Sequence, residues 1–118
     1  MTTKVALITG GARGIGRGVA LDLAARGWSV AICFRTSAKE ANEVIAAVKA
    51  QGVRGAALQC DVSDPKAAVE WVQRVNQEWG RIDALINAAG PYHRVSLLDE
   101  TNEGWHSMFD NNLHPVFI

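Results

Sequence analysis

The stretch Thr9-Gly10-Gly11-Ala12-Arg13-Gly14-Ile15-Gly16 has the residue types and spacing to hold a phosphate. It comes after the apolar run Val5-Ala6-Leu7-Ile8 and leads into the amphipathic run Ile15 to Arg26, so a strand passes through a glycine turn into a helix. The first turn of a helix offers backbone N–H groups with no partner of their own, and these meet the negative charge of a phosphate. Gly10, Gly14 and Gly16 let the backbone approach such a ligand and let the helix sit close on the strand. A glycine-rich turn that binds nothing has the same composition, so the motif takes its weight from the loops at the ends of the other strands.

After the second apolar run comes Arg35-Thr36-Ser37, where a dinucleotide site that prefers NAD carries an acidic residue for the ribose hydroxyls. Here the position is basic, and no Asp or Glu stands between Asp22 and Glu40. A guanidinium grips a phosphate with two N–H bonds, and Arg13 in the glycine loop reaches toward the same group from the other side. The expectation is a site for NADP(H) in preference to NAD(H). The alternative is that both arginines are solvated surface charges.

These loops need elements to hold them. Val5 to Thr9 is wholly apolar up to its last residue, the pattern of a strand covered on both faces. Ile15 to Arg26 places Ile15, Val19, Leu23, Ala20 and Ala24 along one helical face, and Gly27 ends the helix. A second strand spans Ser29 to Phe34. Ser37-Ala38-Lys39-Glu40 has the S-x-x-E form of a capping box, opening a helix that buries Val44, Ile45 and Val48, reaches about Gln51 and closes at Gly52. Gly55 to Gln59 gives a third strand. Asp64 caps the next helix, with Pro65 at its first position and Val69, Trp71, Val72, Val75 and Trp79 on its inner face; Gly80 ends it. Ile82 to Asn87 reads as a fourth strand. A last helix is expected from Thr101 or Asn102, with Trp105, Met108, Phe109, Asn112, Leu113 and Val116 three and four residues apart.

Strands alternating with helices in this rhythm specify an α/β, doubly wound Rossmann-type fold with a parallel sheet and right-handed crossovers. The expected strand order is 3-2-1-4, one wing plus the first strand of the other, in a single partial domain covering residues 1–118. A chain of 118 residues buries between about 60 and 70% of its unfolded surface, enough for a core. Twelve basic residues balance twelve acidic ones without a basic run, which argues against a nucleic-acid partner and for a small molecule or another protein chain. No apolar run reaches the length of a membrane span, and Met1-Thr2-Thr3-Lys4 leads straight into a strand, so a soluble, cytoplasmic protein is expected. Cys33 and Cys60 suit buried, reduced thiols, and two cysteines with three distant histidines do not make a metal site.

The spacing T-G-x-x-x-G-x-G departs from the general G-x-G-x-x-G fingerprint and resembles that of the short-chain dehydrogenase/reductase family, whose single-domain members carry it at the first strand-helix turn. Three further stretches resemble that family in order and spacing. Asp61-Val62 resembles its Asp-Val pair, which implies a carboxylate accepting from the adenine amino group and a valine packed on the ring; the alternative is that Asp61 helps the chain turn into the next helix. Asn87-Ala88-Ala89-Gly90 looks like the family's N-N-A-G motif with alanine in second place. The resemblance implies that backbone passes the nicotinamide ribose there and that Asn87 ties the central strand. Trp105-(x)6-Asn112-Leu113 resembles the helix carrying the asparagine that holds a water in the proton relay, so Asn112 is the implied catalytic residue. Pro115 cannot donate to the carbonyl of Asn111 and is expected to kink the helix beside it.

The family activates its carbonyl or alcohol with a serine and with a tyrosine four residues before a lysine, all beyond the helix at which this sequence stops. Tyr92 has Ser96 four positions on, so Y-x-x-x-K is absent, and with it the pair that passes a proton at neutral pH. His93 titrates in a useful range near the nicotinamide end, although a loop histidine is more often a surface residue. The resemblance therefore implies the cofactor-binding portion of an NADPH-dependent oxidoreductase, truncated, acting on a carbonyl or alcohol when complete. A non-catalytic nucleotide-binding or interaction module is the alternative. The outer edge of the fourth strand is bare and apolar, so self-association to a homo-oligomer is expected through that edge or the last helix.

Overall fold

The computed structural model of the chain describes residues 3–89 and 101–103. Its elements are β1 (Val5–Thr9), α1 (Gly14–Ala25), β2 (Ser29–Phe34), α2 (Ala38–Ala50), β3 (Gly55–Gln59), α3 (Pro65–Trp79) and β4 (Ala84–Asn87). The four strands form one parallel sheet in the order β3-β2-β1-β4, as the alternation of elements predicts. Thr9 pairs with Cys33 of β2 on one side and with Asn87 of β4 on the other, and Cys33 pairs with Leu58 of β3.

All five residues of β1 are buried, because the sheet is covered on both faces at this point. Alternation along the strands sorts the side chains into two layers. Ile8, Val30 and Ile32 pack against Ala20 and Ala24 of α1 and Ala41, Val44 and Val48 of α2. Val5, Leu7, Ala31 and Cys33 pack on the opposite face with Trp71 and Val75 of α3. Each large side chain so buried contributes about 1.5–3 kcal/mol relative to exposure.

Some local expectations need correction. The fourth strand begins at Ala84 rather than Ile82, because Asp83 binds the start of β1: its N–H donates to the Val5 carbonyl (2.9 Å) and its Oδ2 accepts from the Val5 N–H (2.8 Å). Hydrogen bonds from Arg81, and then from Val5, hold the Asp83 carboxyl below the usual carboxylate range. Ser37 stands at the N-cap of α2, yet its side chain makes no capping bond, since ψ of 56° departs from the extended backbone that aims a capping hydroxyl at the first turn. Asp64 does cap α3, accepting from the Lys66 N–H at 3.1 Å, with Pro65 at the first position. The inward stripe of α3 is the buried Trp71 and Val75 flanked by the partly buried Ala67 and Trp79, a strict spacing of four, which turns Val69 and Val72 outward to 45% and 38% exposure. Ile15 also lies outside the core, at 83% exposure in the first turn of α1.

Residues 101–103 enter helix at Asn102, where the spacing of apolar residues places the last helix. The rest of the expected last helix, with Trp105, Asn112 and Pro115, lies outside the described residues, as do Gly90, Tyr92 and His93. Among the described residues β4 pairs on one side only, and its Leu85 is 53% exposed. No helix among them is long and apolar enough to cross a membrane.

Candidate dinucleotide cleft

The turn from β1 into α1 owes its shape to glycines. Gly10 takes φ of +65° and Gly14 φ of +60°, the left-handed region in which a side chain is strained. At Gly10 the demand is also steric: a Cβ there would stand 2.7 Å from the Ala89 Cα, so the absence of a side chain lets the loops after β1 and β4 touch. At Gly16 a Cβ would collide with the Gly10 carbonyl oxygen, so the helix packs directly on the turn that feeds it. The Gly10 N–H reaches across to the Cys33 carbonyl (3.1 Å), anchoring the turn to β2.

The helix that begins here starts without its own anion. Arg13 occupies the N-cap with extended backbone and no side-chain capping bond, and the first turn of α1 carries no acidic residue. By contrast, α2 has Glu40 in its first turn and α3 has the Asp64 carboxylate. The N–H groups and dipole at the start of α1 therefore face outward with no intramolecular anion among the described residues, which suits an external phosphate.

A cleft of about 440 Å³ runs along the carboxyl ends of β1, β2 and β3. The structure brings together on its walls Gly10, Arg13, Gly14 and Ile15 from the first loop, Arg35, Thr36 and Ser37 from the second, Asp61 and Val62 from the third, and Ala88 and Ala89 after β4. Gly16 lies beneath, buried. Asn87 is exposed on β4 and does not line the cleft. Asn87 pairs with Thr9 of the central strand, and the Thr9 Oγ1 accepts from the N–H groups of Ala88 (3.1 Å) and Ala89 (3.2 Å), holding the loop that follows. Thr9 suits this role because it is buried at the end of the central strand, directly beside the loop it holds. Gly90 and Asn112 lie outside the described residues.

Sequence reasoning missed four other participants. Ser63 donates from both its N–H (3.0 Å) and its hydroxyl (2.7 Å) to Asp61 Oδ1. These bonds, with the Arg35 charge behind them, hold the Asp61 carboxyl below its ordinary value. A short polar side chain two residues after an aspartate is the available signal, since Asp readily bonds the backbone two residues on. Thr9 is the second, legible only as the polar end of an apolar run. The other two, Cys33 and Cys60, are free thiols in one buried cluster that also border the cleft. Burial pushes the Cys33 thiol up to about 12, and burial, then the charges of Asp61 and Asp64, raises Cys60.

What the arrangement can do is hold an elongated, doubly anionic ligand: backbone amides at one wall, two guanidinium groups beside it, and a carboxylate acceptor at the far end. Known proteins match this chain along its length. A family profile described as short chain dehydrogenase covers residues 4–118. The 3-oxoacyl-[acyl-carrier-protein] reductase FabG of Staphylococcus aureus is 37% identical over 98% of this chain and 47% of its own length. The hydroxynaphthalene reductase arp2 of Aspergillus fumigatus is 40% identical over 95% of the chain and 41% of its own length. A short chain dehydrogenase from Burkholderia cenocepacia, solved in complex with NADP, superposes with a TM-score of 0.91 at 41% identity, covering 97% of this chain and 46% of that one. An NAD+-bound xylitol dehydrogenase gives a TM-score of 0.91 at 29% identity, covering 97% and 44%. The chain thus spans less than half the length of the curated relatives named. With a profile match over nearly all its residues, it belongs to the short-chain dehydrogenase family.

Proposed function

We propose that this chain is the cofactor-binding part, a single partial domain, of an NADPH-dependent oxidoreductase that transfers hydride to or from a carbonyl or alcohol substrate. The observation that carries the reading is the start of α1, which unlike α2 and α3 has neither a capping side chain nor an acidic residue in its first turn, and which opens into the cleft beside Arg13 and Arg35. The residues fit the cofactor: Gly14 has no neighbour within 4 Å of where a Cβ would project, leaving room for a pyrophosphate against the backbone. Gly10, Gly14, Ile15 and Gly16 form that seat, Arg13, Arg35, Thr36 and Ser37 the 2′-phosphate corner, and Asp61 and Val62 the adenine end. The backbone of Ala88, Ala89 and Gly90 passes the nicotinamide ribose while Asn87 ties that loop to the central strand, and Asn112 serves the proton relay. When bound, the cofactor supplies the hydride. The part of this chain is to bind and orient it.

NADP is favoured over NAD because the loop after β2 offers Arg35 where a ribose-binding carboxylate would repel the extra phosphate. A charge-assisted hydrogen bond contributes about 1.5–3 kcal/mol, so Arg35→Ala is expected to weaken NADPH binding by roughly tenfold to over a hundredfold while leaving NADH nearly unchanged. Calorimetric titration of both cofactors checks this, and an equal loss for both would remove the 2′-phosphate role. Reduced Cys33 and Cys60 support work in the cytoplasm.

A second reading, a self-associating module, is favoured by the pairing of β4 on one side only among the described residues and by the exposure of Leu85. It predicts a homo-oligomer at micromolar concentration. Light scattering that finds only monomer would count against it.

A further inference from the structure

We propose that Ser63 is a positioning residue that makes the cleft select adenine over a purine with a carbonyl in place of the amino group. This rests on the proposed nucleotide site and adds to it the base preference and its source.

Asp61 lies just past β3 and is exposed at the cleft wall, where its carboxylate would ordinarily rotate. The nearby guanidinium of Arg35 would draw it, since their charges already interact. Ser63 opposes that. Its N–H and hydroxyl both bond Oδ1, at 3.0 and 2.7 Å, and the Asp64 N–H closes the same turn on the Asp61 carbonyl at 2.9 Å. Asp64 in turn caps α3, so the turn is fixed to a helix at one end and a strand at the other. With Oδ1 taken by two donors, the acceptor capacity of the carboxylate is concentrated on Oδ2. An ionised carboxylate accepts and does not donate: it welcomes an exocyclic amino group and repels a carbonyl oxygen in that position. Without the serine hydroxyl only the Ser63 N–H still holds Oδ1, the carboxylate is freer to turn toward Arg35, and both the base contact and its selectivity fall.

The test titrates the 118-residue chain calorimetrically with NADPH and with its hypoxanthine counterpart, reduced nicotinamide hypoxanthine dinucleotide phosphate. The wild type is expected to prefer NADPH by about tenfold or more, the size of one charge-assisted hydrogen bond. Ser63→Ala is expected to lose most of that preference, and Ser63→Thr, which keeps the hydroxyl, to retain it. Asp61→Asn is expected to reverse it, because the amide presents a donor to the hypoxanthine carbonyl. An unchanged ratio in Ser63→Ala, or a wild type that binds both cofactors equally, would overturn the role of Ser63 while leaving the nucleotide site standing. Should Ser63→Ala fail to fold, as judged by its far-UV circular dichroism, an unaltered preference in Asp61→Asn or a lost one in Ser63→Thr overturns the proposal in its place. No binding of either cofactor by the wild type would instead bring down the nucleotide reading itself.

Discussion

The turns after β1 and β3 face the same cleft and are built by opposite means. The first takes its shape from side chains that are missing: Gly10 and Gly14 stand in left-handed backbone, and Gly16 leaves room for a carbonyl. The second takes its shape from side chains that are present, the Asp61–Ser63 bonds and the Asp64 cap. A turn made by absence tolerates little substitution, because an added Cβ meets fixed backbone at Gly10 and Gly16 and strains the left-handed backbone at Gly14. A turn made by hydrogen bonds is adjustable, because each bond is worth only about 0.5–1.5 kcal/mol net and can be traded for water at an exposed site.

Substitutions should separate the two. The largest effect is expected at Gly16→Val, where the added atoms meet the Gly10 carbonyl and force α1 off the sheet. Overpacking of this kind costs about 3 kcal/mol or more, read as a fall in the urea midpoint. Next, Gly10→Ala should exceed Gly14→Ala. Both add a left-handed alanine at about 1–2 kcal/mol, but only Gly10 also presses on Ala89, while Gly14 opens to empty space. Equal losses would mean that contact between the two loops contributes nothing.

The smallest effect belongs to Ser63→Ala, which is expected to bring the Asp61 pKa back up toward its ordinary value, as read by carboxyl carbon NMR. Its folded pKa is depressed, so the stabilisation is present above the unfolded value and is lost as pH falls through the folded one. The variant should therefore show a shallower loss of stability on acidification across that window. Because Asp61 is exposed, solvent screening keeps the difference small.

Much of this architecture is legible in the sequence. Strand order, helix succession and the cluster of loops at the carboxyl ends come from alternating apolar runs and from the glycines placed after them. What escapes is set by tertiary geometry. Nothing local says that Val69 and Val72 turn outward while Ala67 lies in, because the face is chosen by where α3 crosses the sheet. Nothing local reveals that Thr9, on a strand far earlier in the chain, holds the loop after β4 with its hydroxyl, because that depends on parallel register. The S-x-x-E at Ser37 has the right letters but the wrong backbone angle, which only the loop from β2 determines.

The buried thiol pair has a consequence for the potential inside the groove. With the Cys33 thiol pushed up to about 12 and Cys60 also shifted upward, the two thiols bordering the cleft carry no negative charge at neutrality. A polyphosphate entering the proposed site would meet no thiolate there, with Asp61 the one acidic group among the described lining residues and the arginines at the rim to steer it. Alkylating reagents, which need a thiolate, should in turn find both thiols nearly inert.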